Sequence, residues 1–291
     1  MSGSIAFCFL LYSKIDNPEA WSKFFKDVDP SKYTIYSHLK LINNETQEFI
    51  KKNAIKSIPT KWGDFSLFKA SLLLFKEALK NKNNKHMVLL SGSCVPIYSF
   101  NDIYNDIMSK DTSRIHARYL GSSLNVWANS QWISLYYKDA QSLVRILDKN
   151  DIVAKKFLKF WLKATKTDGN GILSDFLGAD ETFPINWFLY LQTGSFFNNK
   201  TSIKLLKNID ISCTTYAYFK KGATSPENLS ESLLNKTSKM SSNEIKACNN
   251  CLFARKFSND KKTFSCKSKP NRKNSVISSK EWKQIYGGML Y

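Results

Sequence analysis

An α/β fold, in which short parallel strands are covered by helices, is predicted by three features of this 291-residue sequence. Ile5 to Tyr12 and Tyr33 to His38 are apolar strand-like runs separated by a helix signal at Asp16-Asn17-Pro18-Glu19. That strand–helix–strand order within about 35 residues is a parallel crossover unit. Met87 to Leu90 is a short apolar run with charge before it and Ser91-Gly-Ser93 after it, the pattern of a buried central strand. Between them Phe65, Phe68, Leu72, Phe75 and Leu79 recur at helical spacing, with Lys69, Lys76 and Lys80 off the stripe. Such a helix has one apolar face to lay on a sheet.

Taken in order, the first strand ends at Ser13-Lys14, and the helix after it carries Trp21, Phe24 and Phe25. Ile58-Pro59 introduces Trp62 and Asp64, and Asp64 suits the N-cap of the amphipathic helix. The central strand opens into Ser91-Gly-Ser93, where an open α/β sheet binds its ligand, although a tight strand-to-helix turn has the same residues. Pro96 stops simple continuation of the pairing. A helix over Phe100–Met108, capped by Asn101, follows. Arg114, His116 and Arg118 alternate as on one strand face, which could contact an anion but reads first as solvated, and Ser130 to Tyr137 reads as a strand feeding a helix from Lys138 to Leu147. A further helix is expected from Asp151 to Ala164.

Gly178 to Pro184 places Asp180 and Glu181 ahead of an aromatic helix, Ile185 to Leu191. Carboxylates there serve as caps and dipole partners. One of them becomes a candidate general base if it faces a pocket beside the central loop. Ser212 to Phe219 alternates like a strand, with Tyr216 and Tyr218 on one face, and Arg255-Lys256 sits among Leu252, Phe253 and Phe257 as if to meet an anion.

The chain holds 43 basic and 24 acidic residues, a net charge of +19. This favours anionic partners: nucleic acid, acidic lipid or a phosphorylated small molecule. No apolar run approaches the roughly 20 residues that span a bilayer, and Ile5–Tyr12 lacks the flanks of a signal peptide. A cytoplasmic or membrane-peripheral location is therefore expected, the basic tail meeting acidic lipid. Cys248-Asn-Asn-Cys251 lacks the second pair or nearby histidines of a zinc site, and reduced thiols are expected. Asp27-Val-Asp29 is the single D-x-D, placed before the second strand, and Ser91-Gly-Ser-Cys94 offers no carboxylate to a hard cation, so no metal is expected. One domain over residues 1–260 and a basic extension over 261–291 complete the layout.

Eight landmarks in order resemble the core-2/I-branching enzymes, glycosyltransferase family 14, with its plant relatives. They are Phe7-Cys-Phe-Leu, Tyr33-Thr-Ile-Tyr-Ser-His, Ile58-Pro with Trp62-Gly, Leu89-Leu-Ser-Gly-Ser-Cys-Val-Pro, Ser130-Gln-Trp, Ala179-Asp-Glu-Thr-Phe-Pro, Thr215-Tyr-Ala-Tyr-Phe and Phe253-Ala-Arg-Lys-Phe. The resemblance implies a GT-A-like, Rossmann-related domain with a mixed central sheet flanked by helices. It also implies an inverting, metal-independent enzyme without cofactor that moves N-acetylglucosamine or a related sugar from a UDP-sugar to a glycan or other hydroxyl acceptor. Glu181 matches the catalytic glutamate, and Lys256, beside Arg255, matches the diphosphate-binding lysine; Lys236 or Lys239 would supply a second cation. Ser13, His38, Trp62 and Ser91 fall on the donor side, and Tyr216, Tyr218, Trp132 and Asp180 on the acceptor side. The plant relatives carry an acidic residue at the position of Gly92. The competing readings are a basic protein that binds nucleic acid or an anionic surface, for which no nucleic-acid motif is present, and a sugar-nucleotide binder without catalysis.

Overall fold

The computed structural model describes residues 3–62, 64–119, 126–166, 179–195, 202–217 and 251–255. Its centre is a six-stranded mixed sheet. In chain order the strands and helices begin with β1 (Ser4–Leu11), α1 (Pro18–Phe25), β2 (Tyr33–Leu39), α2 (Glu48–Lys52), α3 (Phe65–Ala78) and β3 (Asn84–Ser91). There follow β4 (Val95–Pro96), α4 (Phe100–Met108), β5 (Ser113–Arg114), β6 (Ala117–Tyr119), β7 (Trp127–Asn129), β8 (Ser134–Tyr136), α5 (Tyr137–Val144) and α6 (Ile152–Lys166). The last are α7 (Ala179–Thr193), β9 (Ile209–Asp210), β10 (Thr215–Ala217) and β11 (Phe253–Arg255).

The sheet runs β2-β1-β3-β8-β5-β9, with β1 parallel to both β2 and β3, and β8 antiparallel to β3 and β5. β1 is apolar from Ile5 to Leu11, as burial of both its faces requires. Ala6, Cys8 and Leu10 meet Phe68, Leu72 and Phe75 of α3, while Ile5, Phe7 and Phe9 meet Trp21 and Phe24 of α1 and Phe100 of α4. The expected crossover and the covering helix α3, with Asp64 Oδ1 accepting from Ser66 N at 2.8 Å, are both present. Two smaller sheets lie outside this frame: β10-β11-β4, and β6 paired with β7. Pro96 sits on β4 at the edge of its sheet, where a missing N–H costs least.

Four expectations are corrected. Ser99, not Asn101, caps α4: its Oγ accepts from Asp102 N at 3.3 Å and donates to Asp102 Oδ2 at 2.7 Å. The strand before α5 is confined to Ser134–Tyr136. α7 starts at Ala179, six residues before the expected Ile185, so Asp180 and Glu181 lie in its first turn and Pro184 lies inside it. Arg114 and Arg118 sit on different sheets. Arg114 bonds Asp106 at 2.6 Å, and His116 between them is buried, so there is no solvated face.

The amino ends of the three parallel strands are tied by one buried amide. Asn84 Oδ1 accepts from Ser4 Oγ at 2.7 Å and Thr34 Oγ1 at 2.8 Å, and its Nδ2 donates to the Ala78 carbonyl at 2.8 Å. Asn84→Ala strands two or more buried polar groups, at about 1–3 kcal/mol each. Denaturant unfolding is expected to show a loss of about 2–6 kcal/mol without a change in slope.

Candidate active site

The carboxyl ends of β1 and β3 carry two loops pressed together. A Cβ on Gly92 would fall 2.5 Å from the Lys14 carbonyl oxygen, and Asp16 N donates to Gly92 O at 2.8 Å. The acidic residue of the plant relatives therefore has no room at position 92 unless the segment after Ser13 moves. Ser91 Oγ lies 3.2 Å from Ser93 Oγ and 3.1 Å from Cys94 Sγ, and Trp21 Nε1 donates to the Cys94 carbonyl at 3.0 Å. Burial raises the Cys94 thiol pKa, and the charge of Arg255 opposes the rise.

Arg255 ends β11, the middle strand of the small sheet, whose Ala254 pairs with Val95 just past this loop. Its guanidinium stacks over Trp132, 4.5 Å from the ring centroid, and its buried Nε has no hydrogen-bond partner among the described residues. Burial lowers the Arg255 pKa; Cys94, Glu181 and Asp180 act in the other direction. Arg255 is thus held between the Ser91–Cys94 loop and the start of α7.

Both carboxylates of α7 are shifted upward, although a helix N-terminus ordinarily favours their charge. Asp180, 7 % exposed, is raised to about 6 by burial, against hydrogen bonds from its own and the Glu181 backbone N–H and against Arg255. Glu181, partly exposed, is raised to about 7, first by burial and then by the neighbouring Asp180 charge; Arg118 and Arg255 pull it back. A carboxylate raised toward neutrality beside a partly buried cation is equipped to take a proton while the cation receives negative charge. Arg118, on β6, joins this group; in the sequence it stands out only through its alternation with Arg114 and His116.

The remaining candidates are dispersed around that centre. Ser13 is buried just beyond β1, and Ser91 lies at the end of β3. Trp62 is 85 % exposed in the turn before α3, whose Phe65 and Phe68 pack on Phe183 of α7 at 5.8 and 5.1 Å. His38 is buried, and its Nε2 accepts the Ile58 N–H at 3.0 Å, which ties β2 to the segment leading to Trp62. Burial lowers its pKa. Trp132, expected on the acceptor side, is 6 % exposed and forms the shelf beneath Arg255. Tyr216 lies on β10, one position from the partner of Arg255. Lys256, Tyr218, Lys236 and Lys239 lie outside the described residues, as does the extension from 261 onward.

The expectation of reduced thiols is overturned in part, because Cys213 and Cys251 form a disulfide that joins the residues leading into β10 and β11. Cys251 is therefore not a zinc ligand. The bridge closes a 38-residue separation, and loop entropy then gives about 4 kcal/mol. Cys213→Ser is expected to lose stability of that order, read by denaturant unfolding with and without reductant. Reductant is expected to have little further effect on the variant.

Asp29 accepts from Ser31 N at 2.9 Å in the turn before β2, at the opposite end of the sheet from the carboxylates. The Asp27-Val-Asp29 motif is therefore remote from this centre. Among the described residues no three His, Cys, Asp or Glu side chains group as a metal site would require.

Residues 5–125 match the Core-2/I-Branching enzyme family. Over 115 residues the chain is 30 % identical to Glycosyltransferase BC10 of Oryza sativa subsp. japonica, which amounts to 38 % of this chain and 29 % of the rice protein. A solved structure, A197 from STIV, aligns over 47 % of this chain and 67 % of its own length at 10 % identity and a TM-score of 0.27. The mixed six-stranded sheet flanked by helices is consistent with a GT-A-like fold. Asp180, Glu181 and Arg255 lie beyond the matched span. The span itself holds β1 to β3, the Ser91–Cys94 loop and α4, and over it the chain is similar to the core-2/I-branching enzymes.

Proposed function

We propose that this chain is an inverting glycosyltransferase that moves a sugar, N-acetylglucosamine or a relative, from a UDP-sugar to a carbohydrate or other hydroxyl acceptor. The single observation that carries the reading is that Glu181, raised to about 7, lies within the field of Arg255, the partly buried cation beside the loop that ends the central strand. Glu181 removes the acceptor hydroxyl proton. The oxygen forms its bond to the anomeric carbon from one face as the bond to the UDP oxygen breaks on the other. The leaving diphosphate takes the electron pair, and its charge is met by Arg255 and by Lys256, which the family resemblance assigns to the same task. The reading uses fixed cations where other GT-A enzymes use a metal ion.

The partly buried position of Arg255 over Trp132, with its Nε enclosed, favours a compact anion such as a diphosphate over a polyanion laid on the surface. The net charge of +19 supports peripheral association with acidic membranes as a separate property. Among the described residues no helix is long and apolar enough to cross a membrane. The test is a panel of UDP-sugars, assayed for transfer and hydrolysis with and without EDTA. Turnover with one donor, unchanged by EDTA, is expected. A requirement for Mn2+ would refute the metal-free mechanism, and no turnover with any donor and acceptor would refute the reading as a whole.

A further inference from the structure

Pro184 lies at the sixth position of α7, where a proline ordinarily breaks or kinks a helix. It has no N–H for the Asp180 carbonyl four residues back, and its ring disturbs the next turn. Both freed backbone groups are taken by one side chain from another element. Asn129 Nδ2, at the end of β7, donates to the Asp180 carbonyl at 2.9 Å and to the Ser130 carbonyl at 2.9 Å, while its Oδ1 accepts from Ile185 N at 3.3 Å. Next to it Asn186 continues the seam: Nδ2 donates to the Trp127 and Thr182 carbonyls at 2.6 Å each, and Oδ1 accepts from Trp127 N at 3.1 Å. Asn129 and Asn186 are both buried. β7 pairs with β6 in register Ala117↔Asn129 and Arg118↔Ala128, so the strand that grips Asp180 also carries Arg118 alongside it.

We infer that Asn129 is the positioning residue for Glu181: it bridges the Pro184 break and thereby holds the first turn of α7 at a set place against Arg118 and Arg255. Its catalytic part rests on the transferase reading above. Glu181 faces Asp180 on its own helix, Arg118 from β6 and Arg255 from β11, and small displacements of that turn change its distance from each. Without Asn129 the turn loses its anchor, but a second route exists. Pro184→Ala restores an N–H that bonds the Asp180 carbonyl within the helix, making the Asn129 donor dispensable.

The test is a cycle of Asn129→Ala, Pro184→Ala and the double variant, read three ways: thermal midpoint, kcat and donor KM, and Glu181 titration by carbon NMR of glutamate-labelled protein, assigned with Glu181→Gln. Asn129→Ala is expected to lower kcat by about 10- to 100-fold with donor KM nearly unchanged, and to move the Glu181 titration. The double variant is expected to recover most of both. If Asn129→Ala does not fold, Asn129→Asp serves, since it keeps the acceptor for Ile185 and loses the donor to Asp180. A fall in thermal midpoint with kcat and the Glu181 titration unchanged would overturn the inference, as would the absence of rescue by Pro184→Ala. Wild-type protein without turnover but with a titration that shifts and recovers would refute the transferase reading and leave the positioning role standing.

Discussion

Glu181→Gln is expected to cut sugar transfer by about 100- to 10,000-fold while UDP binding persists, because the amide keeps the shape of the side chain and cannot accept the acceptor's proton. The size of the loss is that of a general base, and retained UDP affinity separates it from a binding defect. The pH profile carries the same signature. Glu181 must be deprotonated to act, and burial with the Asp180 charge beside it puts its titration at about 7. Wild-type kcat/KM is therefore expected to rise with pH through about 7 and to level above it. A residual Glu181→Gln rate with the same acid limb would assign that limb to another group.

The same substitution has an opposite effect on stability. The folded pKa of Glu181 lies above its unfolded value of about 4.3, so the folded state binds more protons between the two. Stability is then higher below pH 4.3 and falls as pH rises to about 7, beyond which the full penalty of the buried charge is present. Glu181→Gln removes that penalty and is expected to raise stability at pH 8 by up to about 3 kcal/mol, with the gain vanishing near pH 4.5. Denaturant unfolding of both proteins at the two pH values checks the sign. A loss at pH 8 would mean that the ionised carboxylate makes interactions that outweigh its burial.

The parts of this molecule that were legible in its sequence are those whose burial follows from local pattern alone. β1 is apolar at every alternate position on both faces because helices cover both faces, and α3 declares itself through its stripe and its Asp64 cap. The start of α7 was hidden because Pro184 reads as a boundary, and the side chain that relieves the break comes from Asn129, distant in sequence. The alternation of Arg114, His116 and Arg118 suggests one strand, yet the chain leaves one sheet and enters another between them. The Cys213–Cys251 bridge could not be chosen from six cysteines, since spacing does not fix connectivity. Glu181 and Arg255 were visible as residue types in suggestive surroundings. Their meeting depends on β4, a two-residue strand containing proline, which brings β11 to the Ser91–Cys94 loop and which no periodicity reveals.

Arg255→Ala is expected to lower kcat by about 100- to 1000-fold, the effect of removing one preorganised donor from a site of developing negative charge. Three features make Arg255 hard to replace. Its guanidinium lies over the Trp132 ring, 4.5 Å from the centroid, its Nε is buried with no partner among the described residues, and its charge bears on Glu181, Asp180 and Cys94 together. Arg255→Lys keeps the charge but loses the planar group over Trp132 and the fork of donors, so only a minor part of the lost rate is expected to return. The diagnostic is again the acid limb. Arg255 lowers the Glu181 pKa, so its removal raises that pKa and moves the limb of kcat/KM to higher pH, whereas Arg255→Lys moves it less. Loss of rate with the limb unmoved would place Arg255 on the diphosphate alone, electrostatically apart from the base. Loss of rate with the limb displaced upward would show base and cation acting within one buried field, in which the group that receives the departing charge also keeps Glu181 ionised enough to start the reaction.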